Sequence, residues 1–504
     1  MSLDQIINDA FEPIANFCDS VVMYSLSLRF ENPLTEIVTE LSLPLIVVWL
    51  AAAGLFFTCY LKFLNIRHFK HAFDCLTHKF DEPNAKGQIS NFDSLAACLS
   101  ATIGLGNIAG VAVAVTIGGP GAAFWMGVMG IIGMGSKFAE VTLGVKYRRF
   151  PGMDPAIEKD SHVGADVAGG PMYYIKDGFT ARGMKPLGVF LAGMFAVCCI
   201  GAAIGGGNMF QANQVYGQAL YATGGEASFL FEKGWLFGIA LAIAAGLVTL
   251  GGVKSIARVA AKLTPAMAVL YIIAGLIVIG VNYQNVPSAI LQIFQGAFSL
   301  EAGWGGLVGA MIAGFKRALF ANEAGLGTAA IIQASAKTDF PVRQGLVGGL
   351  GPFLDTFFVC MVTALVIIVS GVYQGGGQME GIALTSRAFE TVIPHFDIVL
   401  TFVVFLFAYS TIIVYSYYGE ICAGYLFGNT KRVIVAFRIV FLFFIVIGTS
   451  ASLGNVLTFS DAMFFSMSIP NIMALYLLSK ELKRDVTEYV TLMGLEKPPA
   501  KSLL

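Results

Sequence analysis

Two stretches decide how this chain folds: Ser100-Ala-Thr-Ile-Gly-Leu-Gly-Asn-Ile-Ala-Gly110 and Phe320-Ala-Asn-Glu-Ala-Gly-Leu-Gly-Thr328. Each carries Gly-Leu-Gly, at Gly104–Gly106 and Gly325–Gly327, beside an asparagine, Asn107 and Asn322. Each lies inside a long apolar run. A glycine weakens a helix by up to ~1 kcal/mol relative to alanine. Two within three residues, next to a side-chain amide, predict an unwound break in mid-helix. In lipid, the N–H and C=O groups freed by a break need a partner. The bare carbonyls of one half-helix attract a cation, and the N–H groups of the other attract a carboxylate. Close helix packing by small residues is the plain alternative for a single glycine pair. Two matching clusters fit a carrier better, because interrupted helices at corresponding places in two halves mark the binding site of secondary transporters.

Outward from these stretches, apolar runs of membrane length follow one another. Crossing the hydrocarbon takes about 20 apolar residues. Eleven spans are predicted, at 44–61, 93–115, 122–145, 187–211, 235–252, 263–281, 305–335, 345–372, 398–427, 433–450 and 457–478. Of the 31 lysines and arginines, 25 fall on one side of this topology (Arg438, near the basic end of the tenth span, counted with it), three on the other and three deeper within spans. The basic side is cytoplasmic. The N-terminus is then outside and the C-terminus inside, in a cytoplasmic (inner) membrane with lipid around the spans. Spans two to six and seven to eleven form two groups of five, each opening with a broken helix. An odd number of spans per group inverts the second relative to the first.

The predicted organisation is an extracytoplasmic segment (1–43), an extra span with a cytoplasmic linker (44–91), a first five-helix repeat (92–300), a second (301–480) and a cytoplasmic tail (481–504). Residues 1–40 hold too few apolar residues to span and are either an interfacial amphipathic segment or a loose terminus. Residues 286–300 are predicted to lie on the outer surface as a short helix. The acidic start indicates no cleaved signal peptide.

Composition excludes several classes. The chain is 56% apolar and 12% charged, about half the charge of soluble domains, with a net charge of −1. That balance excludes nucleic acid as a partner. The eight cysteines sit mostly in apolar runs without metal or redox spacing. No catalytic or nucleotide-binding motif occurs, so neither an enzyme nor a self-contained pump is indicated. Gly104-Leu-Gly-Asn-Ile-Ala109 matches a dinucleotide fingerprint loosely, but no strand precedes it. His162 and His395 are isolated and carry no assignment.

Charges inside the membrane need a partner or a purpose. Lys137 and Glu140, three apart on span three, are expected to pair. Arg317 is expected to meet Asp355 or Glu323 and to support the second break. Asn107, Arg317, Glu323 and Asp355 are thus candidates for coupling or structural support, and Glu420 and Asp461 are left open. Ser410 and Thr411 on span nine would complete an all-oxygen cage for a small hard cation if they met the carbonyls of span two.

At these residues the chain resembles the alanine or glycine:cation symporters (sodium/alanine symporters). The resemblance runs over nearly its whole length. It is carried by Gly104-Leu-Gly-Asn-Ile-Ala-Gly-Val-Ala112, Gly118-Gly-Pro-Gly-Ala-Ala-Phe-Trp125, Lys137-Phe-Ala-Glu140 and Gly207-Asn-Met-Phe-Gln211. Lys316-Arg-Ala-Leu-Phe-Ala-Asn-Glu-Ala-Gly-Leu-Gly327, Asp355-Thr356, Tyr417-Tyr-Gly-Glu420 and Ile469-Pro-Asn471 continue it. The resemblance implies an all-α integral membrane protein with 11 transmembrane helices, in the five-plus-five inverted repeat of the leucine transporter class with one extra N-terminal helix. It also implies sodium-coupled symport of a small neutral amino acid by alternating access, with no cofactor beyond the coupling ion. The substrate carboxylate would lie on the N–H groups of Leu105 and Gly106, beside Gly104 and Thr102. Gln211, Phe320, Asn322 and Tyr415 would line the pocket. Sodium would lie among the carbonyls of Ser100, Ile103 and Phe407 and the hydroxyls of Ser410 and Thr411. Where Tyr415 stands, that family usually has tryptophan, which opens the pocket to a larger substrate. The alternatives are a proton-coupled carrier, a carrier of larger neutral amino acids such as glutamine or serine, and an ion channel.

Overall fold

A computed structural model describes residues 2–31, 38–77, 79–80, 85–150, 167–249, 252–298, 303–375 and 381–495. Lys159, His162 and the tail from 496 onward lie outside the described residues. Helices dominate. In chain order they include α1 (Leu3–Val22), α2 (Leu45–Tyr60), α3 (Asn91–Thr102), α4 (Ala109–Gly118), α5 (Gly121–Lys146) and α6 (Pro171–Thr180). Next come α7 (Lys185–Ala222), α8 (Gly234–Thr249), α9 (Gly252–Val281), α10 (Val286–Phe298), α11 (Gly303–Asn322) and α12 (Thr328–Gln333). The last are α13 (Pro341–Ser370), α14 (Ile382–Glu390), α15 (Phe396–Phe427), α16 (Lys431–Ser450) and α17 (Leu453–Leu492).

Among the described residues, seven helices are long and apolar enough to cross a membrane: α5, α7, the 258–281 part of α9, α13, α15, α16 and α17. The pair α3–α4 makes an eighth, bent by 59°. Helices α2 and α8 are apolar but shorter. The chain is therefore a multi-pass membrane protein. α10 forms at 286–298, where a short helix was expected, and packs against α5.

Small residues let the helices approach. Gly135 of α5 has Thr58 of α2 against it, and Gly314 of α11 meets the Ala122 carbonyl at the start of α5. A side chain at either position would collide with backbone or hydroxyl. Such contacts replace the hydrophobic force that lipid does not supply.

The start of the chain settles between the two expectations for it. α1 opens on a capping box between Ser2 and Gln5 and buries Phe11 and Ala15. Phe11 packs edge-on against Phe459 of α17 at 5.3 Å. The Asp4 carboxylate accepts the N–H groups of Gly234 (2.7 Å) and Trp235 (3.0 Å) at the start of α8. Asn8 accepts the Ser452 N–H at 2.8 Å, just ahead of α17. The segment is a docked helix, not a loose terminus.

One element departs from the all-α expectation. Strands β1 (Ser25–Glu31) and β2 (Val38–Pro44) pair antiparallel in a two-stranded hairpin. The cause is visible in Ser25-Leu-Ser-Leu28 and Leu41-Ser-Leu43, which alternate with period two rather than 3.6.

Replacing Asp4 with alanine removes two charge-assisted bonds to α8. A loss of about 1.5–3 kcal/mol is expected. It should appear as a lower melting temperature of the detergent-purified protein, with unchanged membrane insertion.

Candidate substrate and cation site

The first break begins where α3 ends. Ile103 N–H still reaches the Leu99 carbonyl (2.6 Å), but Gly104 N–H turns back to Thr102 (2.8 Å). Leu105–Asn107 form one 3₁₀ turn, and α4 starts at Ala109. Glycine is required at 104 for closeness. A Cβ there would lie 2.8 Å from the Thr411 hydroxyl and 3.2 Å from Gln211 Oε1.

Those two side chains close the break. Thr411 of α15 donates to the Ser100 carbonyl at 2.9 Å, so the meeting of spans two and nine does occur. Its neighbour Ser410 donates to its own helix at Phe407 (2.9 Å). The Ser100 hydroxyl is buried and has no partner. Ile103 is buried at the bend. Four of the five expected cation ligands thus stand in two hydrogen-bonded pairs. On the other side, Gln211 turns inward: its Oε1 accepts the Leu105 N–H at 3.1 Å. Its amide is held by the Gly206 carbonyl (3.0 Å), inside a π-helical segment of α7, Gly205–Met209. A π-bulge in mid-helix commonly marks a functional site. Among the described residues the Gly106 N–H has no acceptor. The Thr102 hydroxyl stays 3.5 Å from the Cys98 and Leu99 carbonyls of its own helix.

The second break faces the first. A Cβ on Gly106 would lie 3.4 Å from the Phe320 ring and 3.5 Å from Ala321 Cα. The backbone between α11 and α12 enters the left-handed region three times, at Glu323 (φ 54°), Gly325 (φ 85°) and Gly327 (φ 91°). Two of these are the sequence-predicted glycines, and the third is a glutamate, which strains the backbone by of order 1–3 kcal/mol. The Glu323 carboxylate accepts the Thr328 hydroxyl at 2.5 Å across that kink. Asn322 Oδ1 accepts the Ala324 N–H at 3.0 Å, while its Nδ2 is buried without a partner.

Four aromatic rings surround the junction. Phe320 stacks on Phe464 of α17 at 4.9 Å and meets Phe210 of α7 edge-on at 5.2 Å. Tyr415 lies one turn beyond Thr411, with its ring 5.7 Å from Phe464. Gly207 in the π segment leaves the space that this ring fills. The Tyr415 hydroxyl is buried beside the Glu323 carboxylate. Thr102, Leu105, Gly106, Gln211, Phe320, Asn322 and Tyr415 are all buried.

One expectation is corrected. Arg317 reaches neither Asp355 nor Glu323. Its guanidinium pairs with Asp461 of α17, and Lys316 joins the same carboxylate at 2.8 Å. Arg317 also lies over the Phe320 ring at 5.2 Å, behind the pocket. Its expected partners are otherwise engaged. Asp355, in the π-helical segment Phe353–Cys360, accepts the Thr356 hydroxyl at 2.5 Å. Its carbonyl takes the Asn107 side-chain amide at 3.2 Å, so Asp355 braces the first break. Lys137 and Glu140 pair at 3.6 Å, as their spacing predicts. Glu420, left open by the sequence, forms a two-pronged pair with Arg438 at 2.6 and 2.9 Å. Sequence reasoning missed Phe210 and Phe464, because nothing local separates them from other aromatic residues in apolar spans.

A family model described as the sodium:alanine symporter family matches residues 29–501. The chain belongs to the sodium:alanine symporter family. Among similar proteins is the sodium/alanine symporter AgcS of Methanococcus maripaludis, 40% identical over 86% of this chain and 92% of that protein. The probable sodium/glutamine symporter GlnT of Bacillus subtilis is 33% identical over 90% of each. The putative sodium/proton-dependent alanine carrier YrbD of the same organism is 32% identical over 89% and 90%. As a member of this symporter family the chain is a transporter, not an enzyme.

Gly104→Ala tests the packing of the first break. The added methyl displaces the Thr411 hydroxyl and the Gln211 carboxamide together. Overpacking costs typically 1–3 kcal/mol, and sodium-dependent transport should fall at least about tenfold while the protein still inserts.

Proposed function

We propose that this member of the family carries a small neutral amino acid, alanine or glycine in the first place, together with sodium through alternating access. The observation that carries the reading is the Thr411–Ser100 contact beside the Leu105–Gln211 contact at one bend. Oxygen atoms on one side suit a hard cation. Backbone N–H groups on the other suit a carboxylate.

In this reading sodium lies among the carbonyls of Ser100, Ile103 and Phe407 and the hydroxyls of Ser410 and Thr411. The substrate carboxylate takes over the Leu105 N–H from Gln211 and adds that of Gly106. Thr102, Gly104, Gln211, Phe320, Asn322 and Tyr415 line the remainder. A bound ion orders the bend, and the amino acid then completes it. Spans two, three, seven and eight rock against the rest. Each of the eleven apolar segments coincides with a helix or a broken pair, which supports eleven spans in two inverted groups of five with α2 as the extra span. The basic loops support an inner-membrane orientation with the N-terminus outside.

Tyr415 favours attention to larger substrates. A tyrosine leaves more room than tryptophan and adds a buried hydroxyl beside Glu323. Serine or glutamine is the second substrate reading, and the similar GlnT points the same way.

Uptake of radiolabelled alanine into proteoliposomes, with and without an inward sodium gradient, tests the function. Accumulation is expected only with sodium. Competition by glycine, serine and glutamine ranks the substrates, and sodium-independent or absent uptake refutes the assignment. Thr411→Ala should raise the half-maximal sodium concentration about tenfold or more, roughly 1.4 kcal/mol of ion binding. Gly106→Leu should abolish amino-acid binding with insertion intact, because a Cβ there already touches the Phe320 ring and the longer branch has to enter the space assigned to the substrate.

A further inference from the structure

The two breaks differ in what fills them. At the first, the side chains that reach the broken backbone are neutral among the described residues: Gln211, Thr411, and Thr363 and Thr385 on the carbonyls of Asn107 (2.9 Å) and Ile108 (3.2 Å). At the second, two of them are charged. Lys137 of α5, fully buried, donates to the carbonyl of Asn322, the last residue of α11, at 3.0 Å. It lies 3.5 Å from the Glu323 carbonyl as well. Glu140, three residues on, accepts the Gly327 N–H at 2.9 Å. The ammonium therefore sits on the carbonyl end of one half-helix, and the carboxylate sits on the N–H of the next.

That is the charge arrangement which a cation and an amino-acid carboxylate would adopt at the first break. The rest of the second break is closed in the same way by the protein. Asn471 of α17 donates to the Gly325 carbonyl at 2.8 Å and is itself held by the Tyr174 hydroxyl. The i,i+3 spacing on a rigid helix sets the separation between the two charges.

We infer that Lys137 and Glu140 form a tethered zwitterion that permanently occupies the second break, so that only the first takes up ligand and one sodium moves per amino acid. The inference rests on the cation site assigned above. Lys137 and Glu140 are positioning residues here, acting through the backbone of α11 and α12.

Removing the ammonium alone leaves a buried carboxylate facing vacated carbonyls, and a mobile cation then takes its place. A merely structural ion pair predicts a loss of stability with no change in ion count. The test is the ratio of radiolabelled sodium to radiolabelled alanine entering proteoliposomes, with the sodium dependence of uptake. Wild type should give about one sodium per alanine and a Hill coefficient of about one. Lys137→Ala should give about two, with the Hill coefficient rising towards two. The double variant Lys137→Met with Glu140→Gln, which removes both charges, should return the ratio to one. A wild-type ratio of two, or a ratio of one in an active Lys137→Ala, overturns the inference. So does a ratio of two in the double variant. If Lys137→Ala fails to insert, the wild-type ratio decides alone: one supports the inference and two overturns it. Sodium-independent alanine uptake overturns both this inference and the function above. Sodium-driven uptake at the wrong ratio overturns only the inference.

Discussion

A backbone N–H or carbonyl left without a partner in hydrocarbon costs several kcal/mol, and this protein interrupts two helices where that cost applies. Much of the buried polar chemistry in the structure answers to those interruptions. Thr411, Gln211, Thr363 and Thr385 reach the first from four other helices. Lys137, Glu140 and Asn471 reach the second from two. The glycines serve the same constraint in two ways. Gly325 and Gly327 supply left-handed backbone, whereas Gly104 supplies only room, since its φ is −120°.

The aromatic cluster ties the breaks into one unit. Phe320 belongs to the helix of the second break and touches the space above Gly106 in the first. Its other face lies on Phe464, which also meets Tyr415. Behind it, Arg317 combines a ring contact with the ion pair to Asp461, so α11 and α17 are joined at the back of the pocket. The buried Asp461 carboxylate is shared by Lys316 and Arg317, and both cations offset its desolvation.

The breaks themselves were legible in the sequence, because glycine pairs in apolar runs leave few alternatives. So was the Lys137–Glu140 pair, fixed by helical spacing alone. Arg317 was not. Its possible acidic partners, Glu323, Asp355 and Asp461, lie on three different elements, and helix rotation rather than sequence distance selects among them. Phe464 was invisible for a related reason: its role arises from α17 packing over α11, a contact between residues far apart in the chain. The strand pair Ser25–Glu31 and Val38–Pro44 was readable as period-two alternation, a short and weak signal beside the long apolar runs that follow it. Ser410 and Thr411 were identified as a candidate pair, and only their distance to α3 was missing.

The asymmetry between the breaks bears on how much work the carrier can do. A neutral break gains most from a ligand that brings both charges, and a zwitterionic amino acid with a cation does so. A break already holding an ammonium and a carboxylate gains little from either. One sodium crossing ~100 mV supplies ~2.3 kcal/mol, and a tenfold gradient adds ~1.4 kcal/mol. The sum concentrates substrate on the order of several hundredfold. A second ion would square that limit. If one break is filled with the protein's own charges, as inferred above, the carrier gives up concentrating power and in return uses half as much of the sodium gradient for each amino acid moved.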